Sequence, residues 1–196
     1  MLNLRPALAL AFALLIGQAQ AAPWTIVVRD AAGKPLADAV VAVQVKNRPL
    51  KTTTATAWMA QKDRQFVPQL LVVQTGTQVS FPNNDTVRHH VYSFSPIKVF
   101  EIKLYAGTPS APITFDKPGV ATMGCNIHDR MSAHIVVVDT PLFTRTDASG
   151  TARLDVPTGE HLLQVWHEQM KAPAMQSQPL TVTADAAGST TVTVSE

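Results

Sequence analysis

Leu70-Leu71-Val72-Val73-Gln74-Thr75-Gly76-Thr77-Gln78-Val79-Ser80-Phe81 places two short β-branched runs around Thr75-Gly76, and Pro82-Asn83-Asn84-Asp85 closes the second. Runs of this length, rich in Val and Thr and bounded by Gly, Pro, Asn and Asp, read as strands. The same punctuation continues in both directions. Upstream, residues 25–29 lead through the turn Asp30-Ala31-Ala32-Gly33-Lys34-Pro35 into residues 39–45. Downstream come 86–94, 112–115, 120–123 and 134–138, followed by 151–156, 161–167, 179–183 and 190–194. No stretch carries the 3.6-residue apolar period of an amphipathic helix, and 99–105 is the segment that fits the strand pattern least well. The reading is an all-β chain, a sandwich or a barrel.

One of those strands carries chemistry. In Val87-Arg88-His89-His90-Val91-Tyr92, period-two alternation puts Val87, His89 and Val91 on one face and Arg88, His90 and Tyr92 on the other. The face with two valines is expected inward, which selects His89 over His90; a β-bulge in this strand would exchange them. Downstream, Gly124-Cys125-Asn126-Ile127-His128-Asp129-Arg130-Met131 holds the single cysteine of the chain in a Cys-x2-His-x2-Met run. Thiolate, imidazole and thioether on one short loop, with a second imidazole upstream, match the ligand set of a blue-copper centre. His89, Cys125, His128 and Met131 are the candidate ligands. Zinc is the competing metal, with Asp129 completing a Cys/His/Asp set, because thioether is a poor zinc ligand.

The N-terminus bears on compartment. Residues 1–22 contain one positive charge, Arg5, an apolar run of about 10 residues too short to span a bilayer, and Ala19-Gln20-Ala21. That is the layout of a secretory signal peptide, expected to be cut after Ala21; an uncleaved anchor is the alternative. No later segment is apolar enough to cross a membrane, and export points to the periplasm. A lone cysteine in an oxidising compartment is unusual, and His128 and Met131 beside it favour a ligand over an inert thiol or an intermolecular disulfide. The formal net charge is +2, and removal of Arg5 leaves +1. The charges are scattered, so nothing points to nucleic acid.

The stretch from Phe66 to Asp139 resembles a cupredoxin of the plastocyanin and amicyanin type. The resemblance rests on Phe66-Val67-Pro68, Gly76-Thr77-Gln78-Val79-Ser80-Phe81, Asn83-Asn84-Asp85 with His89-His90-Val91, Phe115-Asp116-Lys117-Pro118-Gly119, and the Cys125 to Met131 loop. It implies a Greek-key β-sandwich holding one type 1 copper ion, with His89, Cys125 and His128 as equatorial ligands and Met131 axial. His90 stands where such families usually have Asn, and Ile127 where they often have Pro. Periplasmic plastocyanin-like proteins labelled "methylamine utilization protein" are similar in both ligand segments.

A second resemblance covers the ends of the chain. Val28-Arg29-Asp30 through Val40-Val41 is similar to the opening of a carboxypeptidase regulatory-like (transthyretin-like) sandwich, and Thr146 through Val165 to its later half. Neither piece offers enough strands to close a core. The expected organisation is a signal peptide at 1–21, one sandwich split between 22–60 and 141–196, and a cupredoxin at 61–140 between the halves. The alternative is an N-terminal extension lending strands to the cupredoxin, with a small C-terminal β domain.

Trp24, Trp58 and Trp166 are expected as core or interdomain anchors, and Met123 beneath the site. His161 and His167 are read as ordinary hairpin histidines rather than a second metal site, and His134 as the start of the return strand. The functional expectation is a single-electron carrier, not an enzyme, serving a redox partner such as a c-type cytochrome or a periplasmic dehydrogenase. A copper chaperone or storage module that never cycles is the alternative.

Overall fold

The computed structural model describes residues 21–48, 52–109, 111–172, 174–183 and 187–195. The expected signal peptide, apart from Ala21, lies outside them. The described elements are strands β1 (Ala21–Arg29), β2 (Val40–Val45), β3 (Thr56–Trp58), β4 (Ala60–Lys62), β5 (Gln65–Val67), β6 (Leu70–Gln74), β7 (Gln78–Ser80), β8 (His89–Ser95) and β9 (Lys98–Tyr105). They continue with β10 (Ile113–Thr114), β11 (Gly119–Gly124), β12 (Ser132–Val138), β13 (Phe143–Arg145), β14 (Thr151–Pro157), β15 (Gly159–Trp166), β16 (Gln176–Val182) and β17 (Gly188–Thr193). The chain is all-β, and no helix of the described residues is long and apolar enough to cross a membrane.

Alternation assigns each strand to its layers. In β1, Ala22, Trp24, Ile26 and Val28 are buried while their neighbours are not, so one face of the sheet β14-β1-β17 points into a core. Facing it is the sheet β13-β2-β15-β16, which contributes Val41, Val43, Leu163, Val165, Leu180 and Val182 to the same core. N-terminal strands β1 and β2 thus share one sandwich with β13–β17. A second core lies inside the five-stranded sheet β6-β12-β11-β8-β9, where Val91, Ala121, Met123, Ala133, Ile135 and Val137 meet Met59, Phe66, Val79, Phe81 and Phe115. Opposite that sheet is β10-β7-β3, with the hairpin β4-β5 beside it. Thr56–Trp58 pairs in parallel with Gln78–Ser80, although it lies N-terminal to the expected boundary at residue 60.

Two strands are buried on both faces, and their sequences show it. Val40 to Val43 and Ile135 to Val138 are unbroken apolar runs, the pattern of a strand covered on both sides. Their second faces, Val40 and Ala42 against Val136 and Val138, form a middle layer with Val120 and Trp166 that joins the two sandwiches. Trp24 and Trp166 are buried as expected, at 8% and 3% exposure. Trp58 is not: it is 61% exposed. Its strand turns Ala57 toward the second core, and parity puts Trp58 outside.

His134 sits at the edge of this middle layer, with its ring 5.0 Å from that of Trp166 and Nδ1 3.3 Å from Thr122 Oγ1. Burial lowers its pKa below the usual 6.5, and the Glu168 carboxylate counteracts only part of that. The unfolded chain therefore takes up this proton more readily than the folded one. Stability from His134 is complete above its unfolded pKa and is lost as pH falls through the lower folded value. Urea midpoints at about pH 8 and about pH 5 should differ less in His134→Leu than in the wild type. An identical pH dependence in both proteins would sink this assignment.

Candidate metal centre

The segment before β8 is built by Asn83. Its buried side chain donates from Nδ2 to the carbonyls of Val87 and Tyr105, each at 2.9 Å, and its Oδ1 accepts from Asp85 N at 3.0 Å. Residues 85–87 therefore bend rather than extend, and β8 begins at His89. Val87, expected inward, is 38% exposed for that reason. From His89 onward, His89, Val91 and Ser93 are fully buried and Phe94 on the other face is 75% exposed, but His90, expected outward, is also buried at 5%, covered on that face beside Tyr92 and Glu101. The register between β8 and β9 does slip between His89 and Val91. The extra residue falls on β9, where Lys103 and Leu104 are both exposed, so parity along β8 survives.

His89 enters the second core beside the end of β11. Its Nδ1 lies 3.9 Å from Cys125 Sγ, and His128 Nδ1 lies 4.0 Å from the same sulfur. The two imidazole rings are 5.0 Å apart, centre to centre. Among the described residues these three side chains form a group whose ligand atoms all lie within 4.8 Å of one another. Cys125 is buried and in no disulfide. His128 is half-buried, with Ile127 beside it 45% exposed. Met131 is 2% exposed in the same core as Cys125 and Met123, and its amide closes the loop on the His128 carbonyl at 2.9 Å. Asp129 is exposed and outside the cluster.

Three features of the surroundings went unread in the sequence. His89 Nε2 lies 2.7 Å from Asp85 Oδ2, and its Nδ1 faces the sulfur. Asp85 also accepts the backbone N–H groups of Asp63 (2.7 Å) and Arg64 (2.9 Å). Desolvation pushes this carboxyl upward, but the Arg64 amide, the His89 ring and the Asp63 amide together outweigh it and hold the pKa below the usual carboxylate range. A carboxylate four residues before a buried histidine was the available signal. Tyr105, paired with His89 across the sheet, donates to the Phe81 carbonyl at 2.7 Å and accepts from Gln61 Nε2 at 2.6 Å. Burial drives its pKa up to about 12, only partly offset by Gln61.

The third feature is Gly124. A Cβ there would lie 2.5 Å from Tyr92 Cζ, so the tyrosine ring occupies the space that a side chain before Cys125 would take. A cleft of about 470 Å³ opens next to it, lined in part by Tyr92, Cys125, Asn126 and Met131. On the same outer face, His90 Nε2 meets Glu101 Oε1 at 2.9 Å. His161 and His167 are occupied elsewhere, with Nε2 on the carbonyls of Pro157 and Ala37 at 2.6 and 3.1 Å.

The donor set suits copper. Soft sulfur with two imidazole nitrogens serves both common oxidation states, and the carboxylate a zinc site would use is outside the cluster.

No family model and no curated protein matches this chain. Among solved structures, a reduced amicyanin variant is 16% identical over 45% of this chain and 87% of its own, with a TM-score of 0.40. A purple cupredoxin from Nitrosopumilus maritimus is 20% identical over 43% of this chain and 99% of its own, with a TM-score of 0.37. A copper-containing nitrite reductase from Thermus scotoductus is 25% identical over 59% of this chain but 28% of its own, with a TM-score of 0.40. The fold is all-β, with a His-Cys-His cluster of two buried residues and one half-buried one at the end of its five-stranded sheet.

Proposed function

We propose that this chain is a periplasmic mononuclear type 1 copper protein that carries single electrons between redox partners. One observation carries the reading: ligand atoms of buried His89 and Cys125 and half-buried His128, from a strand and a separate loop, converge within 4.8 Å. Copper bound there would supply one-electron redox chemistry. The protein's part is to hold the donors ready. Cys125 offers a thiolate, His89 and His128 each offer Nδ1, and the buried Met131 offers a thioether as the weak fourth donor. The apolar core packs against Cys125 and Met131 from below, and His89 is held by its strand and by Asp85. Small rearrangement between oxidation states is what a low barrier to electron transfer needs.

Half-buried His128, next to exposed Ile127, is the route to the surface in this reading. A c-type cytochrome or a dehydrogenase docking there would bind weakly, as transient redox encounters do. Export is supported by the signal-peptide pattern of residues 1–22. Four protein donors leave no open position for a substrate, so the role is that of a carrier rather than an enzyme. Titration with Cu(II) should give one equivalent bound and a strong thiolate-to-Cu(II) band that bleaches on reduction and returns on reoxidation. Binding of Cu(I) with no stable Cu(II) form would overturn the carrier in favour of a copper-holding module.

A further inference from the structure

We propose that Asp85 is a positioning residue that fastens the tip of the β4–β5 hairpin to His89 and thereby fixes which ring nitrogen faces Cys125. The inference deepens the copper reading and rests on it for its consequence, though not for its geometry. His89 is 0% exposed, so each ring nitrogen needs a defined role. An imidazole N–H left unpaired in such a place loses the hydrogen bond that water would otherwise give it. In a neutral buried histidine, the hydrogen bond made by one nitrogen decides whether the other carries a proton or a lone pair. The Asp85 carboxylate accepts a hydrogen bond from the Nε2–H across 2.7 Å, which leaves the Nδ1 lone pair directed at a sulfur 3.9 Å away.

What holds Asp85 is as informative as what it holds. Asp63 and Arg64 form the hairpin tip with φ of 53° and 58°, the left-handed pair of a tight two-residue turn. Oδ1 accepts the Asp63 amide, and Oδ2 is shared between the Arg64 amide and His89. The Asp85 amide is itself tied to Asn83 Oδ1 at 3.0 Å. The carboxylate side chain is 12% exposed, its arm toward His89 covered while the two turn amides lie at the surface. Three further groups, the amides of Asp63 and Arg64 and the side chain of Asn83, hold the carboxylate in place to receive the His89 ring. A carboxylate is required because it presents acceptors alone on both arms; an amide would set an N–H2 against one of the turn amides.

The test uses metal-free, ¹⁵N-labelled full-length protein. Long-range ¹H–¹⁵N correlation should identify His89 as the Nε2–H form in the wild type and a mixture with the Nδ1–H form in Asp85→Ala. In Asp85→Asn the retained oxygen should keep the Nε2–H form while the Asp63 amide exchanges at least tenfold faster. Should the alanine variant fail to fold, the asparagine variant decides alone. A wild-type His89 in the Nδ1–H form, or an Asp63 amide whose exchange is unchanged in Asp85→Asn, overturns the proposal. With copper, Asp85→Ala should bind about 10–100-fold more weakly than the wild type. A wild type that binds no copper would remove the functional reading while leaving the tautomer result to decide this one.

Discussion

Cys125→Ser abolishes the thiolate-to-Cu(II) band and any tight copper binding while leaving a folded protein. The sulfur stands between both imidazole nitrogens, 3.9 and 4.0 Å away, and it is the one donor in the cluster that is both soft and anionic when deprotonated. Serine replaces it with a hydroxyl that stays protonated and offers a hard oxygen, so both the charge transfer and the preference for the reduced metal disappear. The structural cost is smaller, because a hydroxyl buried among Met123, Met131 and Ala133 loses about 1–3 kcal/mol unless it pairs with one of the two histidines. Visible spectra of the loaded protein and a urea melt of the metal-free one check the two halves. A band that survives in the serine variant would show that the metal is bound elsewhere.

The second large effect lies away from the metal. Trp166→Ala should cost about 3–5 kcal/mol, the range for truncating a large aromatic in a packed interior. Trp166 is 3% exposed in the layer where Val40 and Ala42 of one sandwich meet Val120, Val136 and Val138 of the other. The two principal cores do not pass through this residue, so each survives the change. Calorimetry should therefore split one transition into two, with the spectrum of the copper centre unaltered. A single transition shifted by less than about 0.5 kcal/mol would mean that the layer does not couple the sandwiches.

What could be read from the sequence was what alternation and local spacing encode. Val91 was enough to tell His89 from His90, because the irregular residue fell on the partner strand. Cys125, His128 and Met131 were legible because they share one short loop. Thr56–Trp58, Ala60–Lys62 and Gln65–Val67 escaped because three-residue strands carry too little period to read. Trp58 was misjudged since bulk suggests burial, whereas its place beyond Ala57 turns it outward. The role of Asp85 depends on two amides more than 20 residues earlier, meeting it through a hairpin that the sequence does not announce. The middle layer between the sandwiches was half visible, as unbroken apolar runs with no stated partner.

The pairing of the first strand has a consequence for the order in which the chain can be completed. Both neighbours of β1, the antiparallel β14 and the parallel β17, come from the last third of the protein. While the polypeptide is being made, β1 has neither of these neighbours until most of the other described strands exist. Closing a free loop of about 97 residues between β2 and β13 would cost about 4 kcal/mol in chain entropy. The segment between them removes that cost when it folds, for it brings its own ends together: Thr140 Oγ1 reaches the Val43 carbonyl at 2.7 Å, and Phe143 pairs with Ala42. The sandwich that holds the His-Cys-His cluster is thus the clasp that allows the outer one to shut.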